Sequence, residues 1–252
     1  MKQGPHCTMT TGSGIQVIAR AAEILRQLKQ DNSGQSLGAI AVQTGLPRST
    51  VQRIVHALVA EDLVTTSGKD SDLRLGPAIQ SLAAAGRIDV VHVMRPLLER
   101  LSKKTGETVD LAKFQHAHMV FVDQVIGKER LGAVSLPGEE FPLSNTANGK
   151  AILAMLAETE VVDIHRREGN GCELRVFLND LAATRERGVA FDIDEHTDGI
   201  SAAGIAFQTV GEDFYAVSIP APSRRFAEKR EMIAQALLSF RADAIATNPY
   251  FR

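Results

Sequence analysis

The stretch SLGAIAVQTGLPRSTVQRIVHALVAEDLV, residues 36–64, decides how the chain is read. Ser36 suits a helix N-cap, because a hydroxyl there accepts from the open N–H groups of the first turn. Leu37, Ile40, Ala41 and Thr44 then recur at helical spacing and form the buried side of a short helix. Gly45 supplies a tight turn, and Pro47, with φ already near the helical value, suits the first turn of the next helix. Val51, Ile54, Val55, Leu58 and Val59 make a continuous apolar stripe on that second helix. Its opposite face carries Ser49, Arg53 and His56, with Thr50 and Gln52 on the shoulders.

Two helices joined by a short Gly-containing turn form a helix-turn-helix, whose second helix enters the DNA major groove. Its charge pattern agrees. Between Asn32 and Ala60 there is no Asp or Glu, although the chain has 30 acids in 252 residues, so roughly three or four would be expected in that window. A surface that faces phosphates excludes carboxylates. Arg and Gln offer the paired hydrogen bonds that read G and A, and Ser or Thr serves bases or phosphates. Arg48, Ser49, Thr50, Gln52, Arg53 and His56 are the candidate DNA contacts, joined by Arg20 on the preceding helix. Upstream, Val17, Ile18, Ala21, Ile24, Leu25 and Leu28 predict a helix over 15–30. Downstream, strands over 63–66 and 72–75 flank Ser67-Gly68-Lys69-Asp70 and form a wing, placing Lys69 and Arg74 toward the DNA backbone.

The whole chain is 44% hydrophobic and 23% charged, with a net charge of −2. That excludes disorder as the main state. No apolar run approaches the ~18 residues of a membrane span, and residues 1–14 are polar with no secretory core, so the expected location is cytoplasmic. Cys7 and Cys172 stand far apart and form no CxxC, which fits a reducing compartment. The net charge conceals an asymmetry. Up to Leu75 there are eight Lys and Arg (Lys2, Arg20, Arg26, Lys29, Arg48, Arg53, Lys69, Arg74) against six acids (Glu23, Asp31, Glu61, Asp62, Asp70, Asp72), a balance of +2. The rest of the chain therefore carries −4.

The segments VIARAAEILRQL (17–28), SLGAIAVQTGLPRSTVQRIVHALVAEDLV (36–64), LRLGPAI (73–79) and RPLLERLSKKTGETVDLA (95–112) carry a family resemblance. So do PLSNTANGKAILA (142–154), LAATRERGVAFDIDEHTDGI (181–200) and VSIPAPSRRF (217–226). In their order and spacing they cover nearly the whole chain, and the sequence resembles the IclR, or isocitrate-lyase-regulator, family of bacterial transcription regulators. The resemblance implies an α+β chain: a winged helix-turn-helix, a linker helix, and a GAF-like α/β effector-binding domain. The expected boundaries are a tail at 1–14, the DNA-binding domain at 15–76, the linker at 77–88 and the effector and oligomerisation domain at 89–252. The expected partners are operator DNA, a small organic effector and further copies of the chain, as a dimer or a dimer of dimers. No cofactor, metal or membrane partner is expected.

The residue pattern after position 77 agrees with mixed α/β structure. Helices are expected over 78–85, 90–104, 147–156, 158–166, 176–187 and 226–245. Strands are expected over 108–114, 119–125, 131–136, 189–192, 200–208 and 214–219. The start of the 147–156 helix is the expected anion-binding end. By the resemblance, effector contacts fall on Ala147, Asn148, Asp192, Ala202, Ser218 and Pro220. Ala202 stands where relatives with small-acid effectors carry Cys, and Pro220 where they carry Ser. The expected effector is therefore an acid less polar than glyoxylate or pyruvate, aromatic or longer aliphatic. Asp192 is also readable as a surface acid, Lys150 as a solvated helix residue, and Phe114, Phe121 and Phe141 as core or interface residues.

The competing classes are weaker. Gly199-Ile-Ser201-Ala-Ala-Gly204 is not a G-x-S-x-G elbow, and no GxGxxG, Walker loop, HExxH or CxxC occurs. His116 and His118 sit in a hairpin turn with no third metal ligand nearby, and Cys172 with His165 is weaker still. An enzyme fused to a helix-turn-helix is the alternative. An architectural DNA binder leaves the larger part of the chain without a task.

Overall fold

The computed structural model describes residues 15–30, 34–67, 72–85, 89–169 and 171–252. Internal contacts divide the chain into a unit ending at Ile88 and a unit from Asp89 to Arg252.

The first unit begins with α1 (Ile15–Gln30), α2 (Leu37–Thr44) and α3 (Arg48–Ala60). Ser36 caps α2 as its chemistry dictates, its Oγ accepting from Ala39 N at 3.2 Å. Gly45 ends the helix at φ 66°, a left-handed turn that costs glycine little. Pro47 lies one position earlier than expected. It is the N-cap of α3, with extended ψ and no capping side chain, so its missing N–H leaves no helical bond unmade. Ile24, Leu28, Ile40, Val51, Ile54, Val55 and Leu58 close into one core with Val64 and Leu73 of the wing. Three expected core residues are outside it: Val17 is 56% exposed, Ile18 72% and Val59 38%. The packed cluster starts at Ala21, and the first turn of α1 extends beyond it.

The wing is the antiparallel pair β1 (Val64–Ser67) and β2 (Asp72–Leu75), with Val64 opposite Leu75. Gln35 adds a short third rung, exchanging two backbone bonds with Leu73 at 3.0 and 2.9 Å. Lys69, at the expected tip, lies outside the described residues. α4 (Pro77–Ala85) follows.

The second unit is built on an antiparallel sheet of order β5-β4-β3-β8-β7-β6. Its strands are β3 (Val109–Gln115), β4 (His118–Val125), β5 (Glu140–Phe141), β6 (Ala190–Ile193), β7 (Ile200–Gln208) and β8 (Phe214–Pro222). The helices are α5 (Val90–Thr105), α6 (Ala147–Leu153), α7 (Glu158–Glu168), α8 (Leu174–Arg187) and α9 (Ser223–Thr247). Residues 201–207 of β7 are buried without alternation, so both faces of the sheet centre are covered. α5 and α9 pack together against the sheet, while α6 lies on β6, β7 and β8. The two ends of α5 and α9 are joined by Glu107, which is buried and accepts from Arg225 at 2.7 and 2.8 Å and from Lys229 at 2.9 Å. These cations hold the Glu107 carboxyl below its ordinary range against the opposing effect of burial.

Two expectations for this unit fail. Residues 131–136 form no strand, because Gly132 interrupts the run and Pro137-Gly138 turns the chain away. Leu131, Val134 and Leu136 are exposed there, whereas Ser135 is buried. The helix at 147 also ends at Leu153 rather than Leu156, closing with a tighter turn in which Met155 N donates to Ile152 O.

Candidate functional site

Strand register builds one side of the site. Asp192 of β6 pairs with Ala202 of β7, and Ala202 pairs with Pro220 of β8. Two residues along the same strands, Ala190 pairs with Gly204, Gly204 with Ser218, and Ser218 with Asp110 of β3. Side chains two apart on a strand share a face, so Asp192, Ala202, Pro220, Ser218 and Asp110 project from one face of the sheet. Helix α6 lies on this same face at Gly204. A Cβ added there would stand 2.7 Å from the Ala147 carbonyl and 2.9 Å from Asn148 N.

Between α6 and the sheet is a cavity of about 270 Å³. All six resemblance-derived effector positions, Ala147, Asn148, Asp192, Ala202, Ser218 and Pro220, line it. Among the residues not foreseen are Asp110, Ser135 and the ring-bearing side chains Phe121, Phe141 and His196. Those rings form one continuous wall, with Phe121 and Phe141 at 4.7 Å and Phe141 stacked on His196 at 4.4 Å. The core reading of Phe121 and Phe141 holds as well, since Phe121 is buried in the core of the second unit and Phe141 packs against it. A ring at a sheet position faces core or cavity according to what covers it. Phe114 instead meets Phe214 edge-on. The one sequence signal for Asp110 is an acid inside the otherwise apolar run 109–112 at the start of β3.

The electrostatics of the cavity are one-sided. Asp110 and Asp192 line it, and among the described residues no Lys or Arg does. Asp110 is 2% exposed, and its Oδ1 accepts from Gln124 Nε2 at 2.6 Å. Burial pushes its carboxyl up to about 7, Gln124 opposes this, and the charge of Glu139 adds to it. Asp192 is buried too, which overturns the surface-acid reading. Burial raises it to about 6, opposed by the Glu195 N–H, which donates to Oδ1 at 2.9 Å. Asn148 is 2% exposed, and its Oδ1 accepts from Gly149 N at 2.9 Å. Its Nδ2 has no partner among the described residues.

One backbone donor in the first turn of α6 is already taken. Thr146 Oγ1, like Asn148 Oδ1, accepts from Gly149 N, and α6 has only seven residues. The expected anion-binding end therefore has one free N–H fewer. Lys150, expected in solvent, is 2% exposed and ion-paired with Asp180 at 3.0 Å and Glu195 at 2.6 Å. Through Glu195 it braces the loop at 194–199, where Asp194 Oδ1 accepts from Gly199 N and from Ser223 Oγ. That loop brings His196 and Thr197 to the cavity.

In the first unit, Arg48, Ser49, Gln52, Arg53 and His56 are exposed on α3, with Thr50 half-buried. Arg20 of α1, Thr50 and Arg53 share a shallow depression between α1 and α3. Arg20 donates to Gln16 at 3.3 Å, and Arg74 is exposed on β2. Among the described residues no group of three His, Cys, Asp or Glu side chains is placed to hold a metal ion.

A family model described as IclR helix-turn-helix domain matches residues 17–68, and one described as bacterial transcriptional regulator IclR C-terminal matches residues 82–247. The chain belongs to the IclR family. HTH-type transcriptional regulator Rv1719 of Mycobacterium tuberculosis is 43% identical to this IclR chain over 237 residues, 92% of each. TtgV of Pseudomonas putida is 36% identical, covering 89% of this chain and 88% of its own. The IclR protein of Thermotoga maritima shares the fold at a TM-score of 0.56 and 26% identity, covering 90% of this chain and 96% of that one. An IclR-family regulator of Brucella abortus does so at 0.57 and 22% identity, covering 93% of each. The IclR-family chain is thus a DNA-binding transcriptional regulator with an effector-binding domain, and the enzyme alternative is set aside. No helix among the described residues is long and apolar enough to cross a membrane.

Proposed function

We propose that this IclR-family regulator binds a two-fold symmetric operator as a homo-oligomer through α3, and that a small, largely apolar effector in the α6 cavity changes that binding. The observation supporting the first half is the acid-free exposed face of α3, where Arg48, Ser49, Gln52, Arg53 and His56 are all open to solvent. Side chains near the start of such a helix reach base edges, and Arg74 on the wing suits a phosphate. The aromatic wall of the cavity supports the apolar part of the second half. The expectation of a carboxylate effector is not retained, because two acids and, among the described residues, no Lys or Arg line the cavity. At ~4 Å, two like charges near a protein surface oppose each other by about 4 kcal/mol.

Nuclease footprinting of the full chain on the region upstream of its own gene tests this. Two protected half-sites about one helical turn apart are expected, and small aromatic compounds should alter the protection. Protection of DNA without sequence preference would overturn the regulator reading.

A further inference from the structure

Resting on the reading of the α6 cavity as the effector site, we infer that its ligand is a neutral hydroxylated aromatic of one or two rings, held between the Asp110 carboxyl and the Asn148 amide. Three properties of the cavity decide the class.

Its size and walls select an aromatic body. About 270 Å³ is available, with Phe121, Phe141 and His196 along one side. An apolar cavity of ~150 Å³ accepts benzene, so this one takes a ring with substituents or a second ring.

Its polar groups select the head group. Asn148 Nδ2 is a buried donor with no partner among the described residues, so the ligand must bring an acceptor. Asp110 uses Oδ1 on Gln124, and its Oδ2 takes no hydrogen bond among the described residues, so the ligand must bring a donor for its ionised form and an acceptor for its protonated form. A hydroxyl is donor and acceptor on one atom. A carboxylate has no donor, and an ammonium group has no lone pair for Asn148.

Charge supports the same choice. Asp110 and Asp192 face the cavity and Lys150 is turned to Asp180 and Glu195, so among the described residues no Lys or Arg side chain meets an incoming anion. Burial also brings the Asp110 carboxyl to about 7, so near neutral pH it is part-protonated and poorly suited as counter-ion to a cation.

The test is calorimetric titration of the full-length chain with four probes that share one ring: 4-methylphenol, 4-methylbenzoate, 4-methylbenzylammonium and p-xylene. The expected order places 4-methylphenol first, by about tenfold or more over each of the others. Asn148→Leu should remove most of that advantage and leave p-xylene binding nearly unchanged. Tightest binding of the benzoate or the ammonium probe would overturn the inference, as would no binding of the phenol at millimolar concentration. Because the ranking is read on the native chain, it stands even if the variant folds poorly. The same probes are added to an operator gel shift. If the phenol binds the chain but leaves the operator complex unchanged, the ligand class holds and the effector role of the cavity fails.

Discussion

Single residues decide both recognition surfaces. Arg53 is exposed on the acid-free face of α3, next to Arg20 in the depression between α1 and α3. Arg53→Ala should weaken operator binding by about 1–3 kcal/mol per half-site, the worth of one good base contact. Gel shifts at fixed salt would show this, while binding of the aromatic probes stays as in the parent chain. An unchanged operator affinity would remove Arg53 from the interface. Asp110 makes a pH prediction. Its folded carboxyl holds a proton more tightly than the unfolded one, so its stabilising contribution is complete below 3.8 and is lost as pH rises to about 7. Urea midpoints of the native chain should therefore fall between pH 5 and pH 8, and Asp110→Asn should flatten that fall. Asp192, raised to about 6 with Glu195 adding to the shift and Lys150 opposing it, contributes in the same direction and keeps some slope in the variant. At this scale the sequence was legible in part. Asn148 and Asp192 were found because family positions mark them. Asp110 and Lys150 were not, because the environment of a charged side chain depends on strands and helices far away in the chain.

Elements were more legible than residues. Helical spacing places α1 at residues 15–30, and the strand pattern places β2 at 72–75, as observed, because a core on one side imposes the period directly. The segment at 131–136 was misread for a related reason. Its apolar residues satisfy the strand pattern, but only Ser135 is buried and Leu131, Val134 and Leu136 are exposed, so the segment lies beside the cavity and outside the sheet. The seating of α6 on β7 is the element contact that shapes the site. Gly204→Ala would set a methyl group 2.7 Å from the Ala147 carbonyl, and α6 must move to relieve it. We expect a loss of about 1–3 kcal/mol, the usual cost of overpacking, read as a lower urea midpoint together with weakened probe binding. An unaltered midpoint would mean that α6 is not held against β7.

At the scale of the whole molecule, the charge of −2 is the sum of +2 up to Leu75 and −4 beyond it. A DNA-binding region with so small an excess of cations releases few counterions on binding. The slope of log affinity against log salt should be shallower than about −5, short of the value for proteins making six to ten phosphate contacts. Titrations of the operator complex between low and moderate salt would measure it. A slope near −10 would show that phosphate contacts, with Lys69 and Arg74 among the candidates, dominate over base contacts.

The amino-acid sequence by itself determined the elements of the DNA-reading unit and the class of molecule. Caps, turns and apolar spacing act within a few residues, and a face without acids is visible in one dimension. It also marked six positions around the cavity. Tertiary structure alone decided what that cavity favours. Asp110, Asn148 and the Phe121–Phe141–His196 wall come from separate segments and meet only through strand register and the seating of α6. Burial then shifts the protonation of the acids and leaves the Asn148 amide nitrogen without a partner among the described residues. Desolvation and unmet hydrogen bonds are properties of an enclosed space, and no local stretch of sequence encloses one.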